Sequence, residues 1–511
     1  MEEEDIKVIL KNYFNTYGVA HIQIDSYNEF ILKGIQRVIE EKNTITISLK
    51  ANVDINYRFG NVFVSNPVVI NENRSIRPLF PQEARDKEIC YQSTVYIDIS
   101  EETVEHGKIT KAKLHQRVAF LQIPTMLYSV VCNLGDKNPQ ERVDLGECRY
   151  DPGGYFIVKG KEHDRIKRVI ERVIVAQQRP NYNFVQVIEQ NITNNTKYKY
   201  ICEIRSVAEE SGYSVVVQTI MPIDERTIFV SLPNIKEHIE AGIVFKALGV
   251  SPEEIPSLIN MKYEAGHRFV KNIVKASYLV NTREDALTYI SKHPMYPIPK
   301  DKQEAYARQV VERELFPHLG ILSTIRHKAE FLGYMINKLI LVTLGIRKDD
   351  DRDNVSNKRI ETTGILMFEL FRGVYDGFYK NASLQLQKKQ DILSIISHYT
   401  TMTKQIKSCF STGNWSTRKT SHMKAGVSQV LNRMTYAATL SHLRHVVIPI
   451  GKEGKNAKIR QINTSQFGFI CPSETPEGQT CGIVTNFSLL TKVSKRTQTI
   501  LVREEVCSCS A

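Results

Sequence analysis

The chain has 511 residues, of which 42% are hydrophobic and 24% charged. That is too long for one hydrophobic core and too apolar for a disordered chain, so several folded domains are expected. Sixty-eight basic residues against 56 acidic ones leave a net charge of +12, which favours polyanionic partners over acid-rejecting ones.

The N-terminus, MEEEDIKVILKNYF, is acidic and lacks the apolar core of an export signal. Ser26-Tyr27-Asn28-Glu29 has the form of a capping box, and Tyr27, Phe30, Ile31, Ile35, Val38 and Ile39 follow at helical spacing, predicting a helix of about four turns. Thr44 to Leu49 and Val95 to Ile99 alternate with period two and read as strands. Asp151-Pro152-Gly153-Gly154 is a turn, and Tyr155-Phe156-Ile157-Val158 is the strand after it. Strand patterns recur at Tyr198 to Val207, Tyr213 to Ile220 and Thr227 to Leu232. Helical ones follow at Ile239 to Leu248, Tyr306 to Leu315 and Phe331 to Leu344. The last contains Asn337 and Lys338, which argues against a membrane span.

Nine cysteines form no C-x-x-C pair. Cys507 and Cys509 are too close for a zinc knuckle, so reduced thiols in an intracellular protein are expected and sequons such as Asn191-Ile192-Thr193 should be unused. Asp349-Asp350-Asp351-Arg352-Asp353 is the densest acidic cluster. Neighbouring carboxylates in one short run point in different directions, so a cap paired with Arg352, Lys348, Lys358 and Arg359 is the expected role, not a magnesium site.

Charge is concentrated further on. Between residues 401 and 460 eleven lysines and arginines face a single acid, Glu453, so ten of the twelve net charges lie in sixty residues. A solvated face normally mixes both signs, and this run therefore points to nucleic acid. Pro449 with Gly451 and Gly454 predicts a tight loop offering Lys452, Lys455 and Lys458, with Arg460 beside it. Pro472 and Pro476 stiffen the segment Cys471 to Gln479. Its Glu474 and Glu477 could form an acid/base pair, but a positional role is more economical.

Three ordered segments carry a family resemblance: Gly426-Val427-Ser428-Gln429-Val430-Leu431-Asn432-Arg433, Thr439-Leu440-Ser441-His442-Leu443-Arg444, and Cys471-Pro472-Ser473-Glu474-Thr475-Pro476-Glu477-Gly478-Gln479. The chain resembles the second-largest, beta-type subunit of multisubunit DNA-directed RNA polymerases over residues 19 to 490, with a fork closer to eukaryotic and large-DNA-virus enzymes than to bacterial ones. Pro81-Gln82-Glu83-Ala84-Arg85, the segment after Gly153, Ala176-Gln177-Gln178-Arg179, Glu203-Ile204-Arg205-Ser206 and Phe245-Lys246-Ala247-Leu248-Gly249 also match that pattern.

The resemblance implies a multidomain α+β fold with mixed helices and antiparallel sheets. A lobe domain (181–357) is inserted into a protrusion domain (19–180 and 358–403), and a fork (404–490) precedes an unassigned tail (491–511). It implies the N-terminal half of the subunit, working in DNA-templated RNA synthesis. Gln429, Arg433, His442, Arg444, Lys452, Lys455, Lys458 and Arg460 would lie against nucleic acid, and Glu477 and Gln479 near the incoming nucleotide. Most members carry a second arginine where His445 stands. Magnesium would be held by the largest subunit, none by this chain, which alone should be inactive. Implied partners are the largest subunit, the chain or segment carrying the C-terminal half, smaller polymerase subunits, template DNA and the RNA–DNA hybrid, with no membrane. Localisation would be nuclear or cytoplasmic, or in a virion for a viral protein. The competing expectation is a non-catalytic nucleic-acid-binding protein derived from this subunit.

Overall fold

The computed structural model describes residues 3–49, 53–71, 73–105, 108–159, 169–190, 197–208, 214–295, 299–320, 324–388, 391–398, 400–415, 424–450 and 457–494. The fold is α+β, built from helices and mostly antiparallel sheets. The chain divides into two compact units, one formed by Met1–Arg179 with Arg359–Ala511 and the other by Pro180–Lys358.

In the first unit the alternating segments pair as an antiparallel sheet in chain order: Thr44–Leu49, Val53–Val64, Gln92–Glu105 and Lys108–Pro124. Val95, Ile97 and Ile99 all point to one side and are buried, as period two requires. The long helix Thr363–Gln387 covers that side. Its Phe378 ring meets Phe59 and Phe120 edge-on at 6.0 and 5.0 Å, the geometry that aligns a ring edge with a neighbour's negative face.

The helix expected after Ser26 exists but starts earlier. Its helical run is His21–Glu29, a π-helical turn Phe30–Gly34, then Ile35–Glu41. Ser26 is therefore not its cap. Its Oγ accepts the N–H of Gly364 at 2.9 Å, and Gln23 Oε1 accepts the Thr363 N–H at 3.2 Å. Two side chains of one helix thus satisfy the orphan amides that open another. A capping-box pattern reports only local spacing, whereas this cap acts across more than 330 residues.

Among the described residues this unit holds three further sheets, one of them the two-stranded pair Val68–Ile70 and Ile76–Pro78. Ser428–Val430, Val169–Ile174 and Phe156–Lys159 form the second. The third runs Lys358–Glu361, Ala176–Pro180, His445–Val447, Val484–Asn486, with the middle pair parallel. The charged segment is thereby built into sheets begun some 270 residues earlier. The helix Thr401–Thr412 crosses the expected 403/404 division, because its buried Met402, Ile406 and Phe410 form one continuous apolar stripe.

The second unit has five antiparallel strands in chain order, Gln186–Glu189, Tyr198–Val207, Ser214–Pro222, Phe229–Ser231 and Ile239–Glu240, followed by helices. Ile239 belongs to the last strand, and the helix opens at Ala241. Helix Lys300–Gln309 continues as a π-helical turn to Glu314. Asn337 and Lys338 lie on helix Ile325–Thr343, and among the described residues no helix is long and apolar enough to cross a membrane. The buried Lys338 Nζ reaches Val185 O at 2.5 Å and Asp350 at 2.9 Å.

That contact disperses the acidic cluster. Asp350 also accepts the Val187 N–H at 2.9 Å and lies 3.3 Å from Arg347. Asp353 faces Lys358 at 3.7 Å, while Arg352 turns to Glu203. The cluster is a structural cap, with Lys338 and Arg347 as partners that the sequence reading missed. The seven described cysteines are free thiols.

Gly364 lies where helices His21–Glu29 and Thr363–Gln387 cross. A Cβ there would fall well inside van der Waals contact with the Ser26 carbonyl oxygen. Gly364→Ala should therefore destabilise this unit by about 1–3 kcal/mol, although alanine normally favours a helix. Denaturant unfolding of the variant checks this, and unchanged or increased stability would refute the close crossing.

Candidate nucleic-acid interface

Three chain segments build the candidate surface. The first runs from strand Ser428–Val430 through the loop to helix Tyr436–Leu443 and strand His445–Val447. Thr435 starts the helix by accepting the Ala438 N–H at 3.0 Å. The second contains the single helical turn Lys458–Arg460, and the third is the segment Cys471 to Val484.

The third segment is held by its threonine and by a glycine. Thr475 Oγ1 donates to Val484 O at 2.8 Å and accepts the Gly482 N–H at 2.9 Å. Gly482 has φ +73°, and a Cβ there would overlap the Arg460 carbonyl, so the backbones meet only because the side chain is absent. Arg460 Nη1 donates to the carbonyls of Gln479 at 2.6 Å and Cys481 at 3.0 Å. Glu474 accepts from Ser441 Oγ at 2.5 Å, and Ser441 Oγ accepts from Asn486 Nδ2 at 3.0 Å. Glu474 is thus positional, and Glu477 and Gln479 stand exposed on the braced loop.

The other expected residues differ in what they can reach. Gln429 is half-buried, Arg433 and Lys458 are exposed, and Lys452 and Lys455 lie outside the described residues. Arg433 Nε donates to Glu171 at 2.7 Å, its Nη2 lies 3.6 Å from Asp151, and its guanidinium covers the Tyr155 ring at 4.8 Å. Glu171 also anchors Arg85, which reaches Glu147 at 2.7 Å, Glu171 at 3.0 Å and the Tyr155 hydroxyl at 2.9 Å. Three stretches of sequence noted separately, at Arg85, Tyr155 and Arg433, therefore converge on one mixed-charge network. Glu171 and Glu147 are its unforeseen members, since residues far apart in sequence give no local signal of contact.

Arg444 is buried. It donates to the carbonyls of Val19 at 3.1 Å, Ser488 at 2.7 Å and Leu489 at 3.1 Å. Burial lowers its basicity, but the three carbonyls occupy its N–H groups. His442 is also buried, with Asn432 N–H on Nδ1 and Gln429 on Nε2, each at 3.1 Å. Burial, aided by His445, pulls its pKa down to about 4. Both residues thus face inward, with their polar atoms serving backbone groups and the Gln429 side chain.

The positive run is also partly neutralised from elsewhere. Lys424 is 2.7 Å from Glu361 and 2.8 Å from Glu369, and Arg179 is 2.5 Å from Glu361. Among the described residues no group of three His, Cys, Asp or Glu side chains converges as a metal site would require.

Removing the Arg444 guanidinium would leave three carbonyls short of a donor. Arg444→Leu should cost about 3 kcal/mol or more. A lower urea midpoint with an unchanged slope checks this, and stability within about 0.5 kcal/mol of the parent would overturn the role.

Residues 18–408 match the family model for the RNA polymerase beta subunit, and residues 429–493 match that for RNA polymerase Rpb2, domain 3. The chain is 35% identical to a probable DNA-directed RNA polymerase II subunit RPB2 homolog of Invertebrate iridescent virus 6, over 99% of this chain and 46% of that protein. It is 33% identical to DNA-directed RNA polymerase II subunit 2 of Arabidopsis thaliana, over 96% and 43% respectively. It is 30% identical to DNA-directed RNA polymerase subunit Rpo2N of Methanococcus vannielii, over 96% of this chain and 95% of that protein. The chain thus spans a little under half the length of its viral and plant relatives and nearly all of the archaeal one. The chain belongs to the family of second-largest, beta-type RNA polymerase subunits.

Proposed function

We propose that this chain forms the N-terminal half of the second-largest subunit of a DNA-directed RNA polymerase, an intracellular nucleotidyltransferase complex. Within it the chain helps to hold template DNA, the RNA–DNA hybrid and the incoming nucleotide. The observation that carries this reading is the alignment along almost the whole length of the archaeal Rpo2N subunit. The braced loops of the candidate interface support it.

On this reading the unit Pro180–Lys358 is the lobe, inserted between two parts of the protrusion, and the residues from about 404 to 490 form the fork. Lys458, with Lys452 and Lys455, meets phosphates, and Gln429 meets the hybrid. Arg433, His442 and Arg444 act through the loops they hold, because their polar atoms already serve acids or backbone. Glu477 and Gln479 lie near the nucleotide on a loop whose height Arg460 sets.

Magnesium supplies charge neutralisation and activation of the attacking oxygen in such a transfer. No described group of this chain fits it, and the reading places it on the largest subunit. The further partners are a chain or segment carrying the C-terminal half and the smaller subunits.

This division of labour predicts that the purified chain alone extends no RNA primer on a DNA template, while its complex with the largest subunit and the C-terminal half does. Extension by the highly purified chain alone would sink the reading. Retention of nucleic acid without extension by the full complex would favour a non-catalytic binding protein.

The lysines give a second test. Each phosphate contact contributes about 0.9 to the salt slope of binding on duplex DNA and about 0.7 on a single strand. Replacing Lys452, Lys455 and Lys458 with glutamine should flatten the slope of the assembled complex on a bubble template by about 2–3 units at most, with similar loss across template sequences. An unchanged slope would assign these lysines to a solvated face or another subunit.

A further inference from the structure

The ring protons of His442 can be assigned from its neighbours. The Asn432 N–H is a backbone donor 3.1 Å from Nδ1, so Nδ1 carries a lone pair. A neutral imidazole with a bare Nδ1 carries its proton on Nε2, which lies 3.1 Å from Gln429 Oε1. Gln429 is oriented independently at its other side. Its Nε2 lies 3.0 Å from the Gly426 carbonyl, which can only accept. Both ends therefore dictate the same direction, from the Asn432 amide through the imidazole and the glutamine to Gly426.

An imidazolium would break this chain by setting Nδ1–H against the Asn432 N–H. Burial disfavours it as well, and His445, with its ring centroid 5.2 Å away, is the ionisable neighbour that adds to the effect. His445 itself donates Nδ1–H to Ser441 O at 2.7 Å. The supporting loop is closed by Thr439 Oγ1 on Asn432 O at 2.7 Å and by Met434 N–H on Asn432 Oδ1 at 3.0 Å. One hydrogen of the Gln429 amide goes to Gly426, and the half-buried side chain keeps a second.

We propose that His442, held as the neutral Nε2–H tautomer, is a positioning residue that locks the Gln429 amide with its oxygen inward and its NH2 outward, as a donor to a backbone oxygen of a nucleic-acid strand. Glutamine makes such contacts to phosphate and sugar oxygens. Unrestrained, its amide could flip and offer either an oxygen or a nitrogen. The identity of the ligand rests on the nucleic-acid reading above, whereas the tautomer does not.

The test has two arms. In the full chain labelled with 15N-histidine, with His442 assigned by comparison with His442→Gln, the neutral Nε2–H signature should persist from about pH 8 to about pH 5.5. Gln429→Glu places a carboxylate against Nε2 and should raise the pKa of His442 by about one unit or more. A Nδ1–H tautomer or an imidazolium near neutral pH would overturn the proposal.

In the assembled complex, affinity for a short RNA–DNA hybrid is compared between two variants. His442→Asn keeps an acceptor for Asn432 but cannot reach Gln429, and should weaken binding about five-fold or more. His442→Gln keeps a donor near Nε2 and should stay within about two-fold of the parent. Equal losses in both would overturn the positioning role. A parent complex that fails to retain the hybrid would overturn the nucleic-acid reading and the donor role with it, while the spectrum still decides the tautomer by itself.

Discussion

The rest of the candidate interface depends on one buried guanidinium. Arg444 joins Val19, just before the helical run that opens at His21, to the carbonyls of Ser488 and Leu489. The strand beginning at the next residue, His445–Val447, lies between Ala176–Pro180 and Val484–Asn486. Segments from the start, middle and end of the chain are thus pinned at one place. Arginine suits the task because its planar fork offers several donors in fixed directions, which a lysine does not.

The same logic governs the charge distribution. A basic run in sequence reads as a positive surface, but folding brings Glu361, Glu369, Glu171 and Asp151 onto Lys424 and Arg433. These pairs are partly shielded from water, so they fix geometry more than they add net stability. The outward positive field is narrower than the composition suggests. Arg460, for its part, is committed to the loop of Gln479. Specific placement, and not bulk charge, is what this surface offers a ligand.

Braced loops of this kind keep side chains oriented before a ligand arrives. Thr475, Glu474 and Arg460 hold the segment that carries Glu477 and Gln479, while Thr435, Thr439 and His442 hold the loop after Gln429. Backbone polar groups in an exposed loop would otherwise sample several states, and ordering them on binding would cost free energy. A chain that supplies positioning would gain most from such preorganisation.

The sequence by itself determined the element types, because hydrophobic periodicity and turn residues act locally. Thr44–Leu49 and Tyr198–Val207 lie where alternation placed them, and the helix through Asn337 and Lys338 was legible from its apolar stripe. The family was legible for a related reason: its signature segments are ordered runs of glycine, proline and charged residues that a local comparison can recognise. Tertiary structure alone decided that Ser26 caps a helix in a distant segment, that the carboxylates of residues 349–353 divide between Lys338, Arg347 and Lys358, and that His442 and Arg444 face inward. Each of these depends on which remote backbone group needs a partner once it is buried. No window of sequence contains both halves of such a pair.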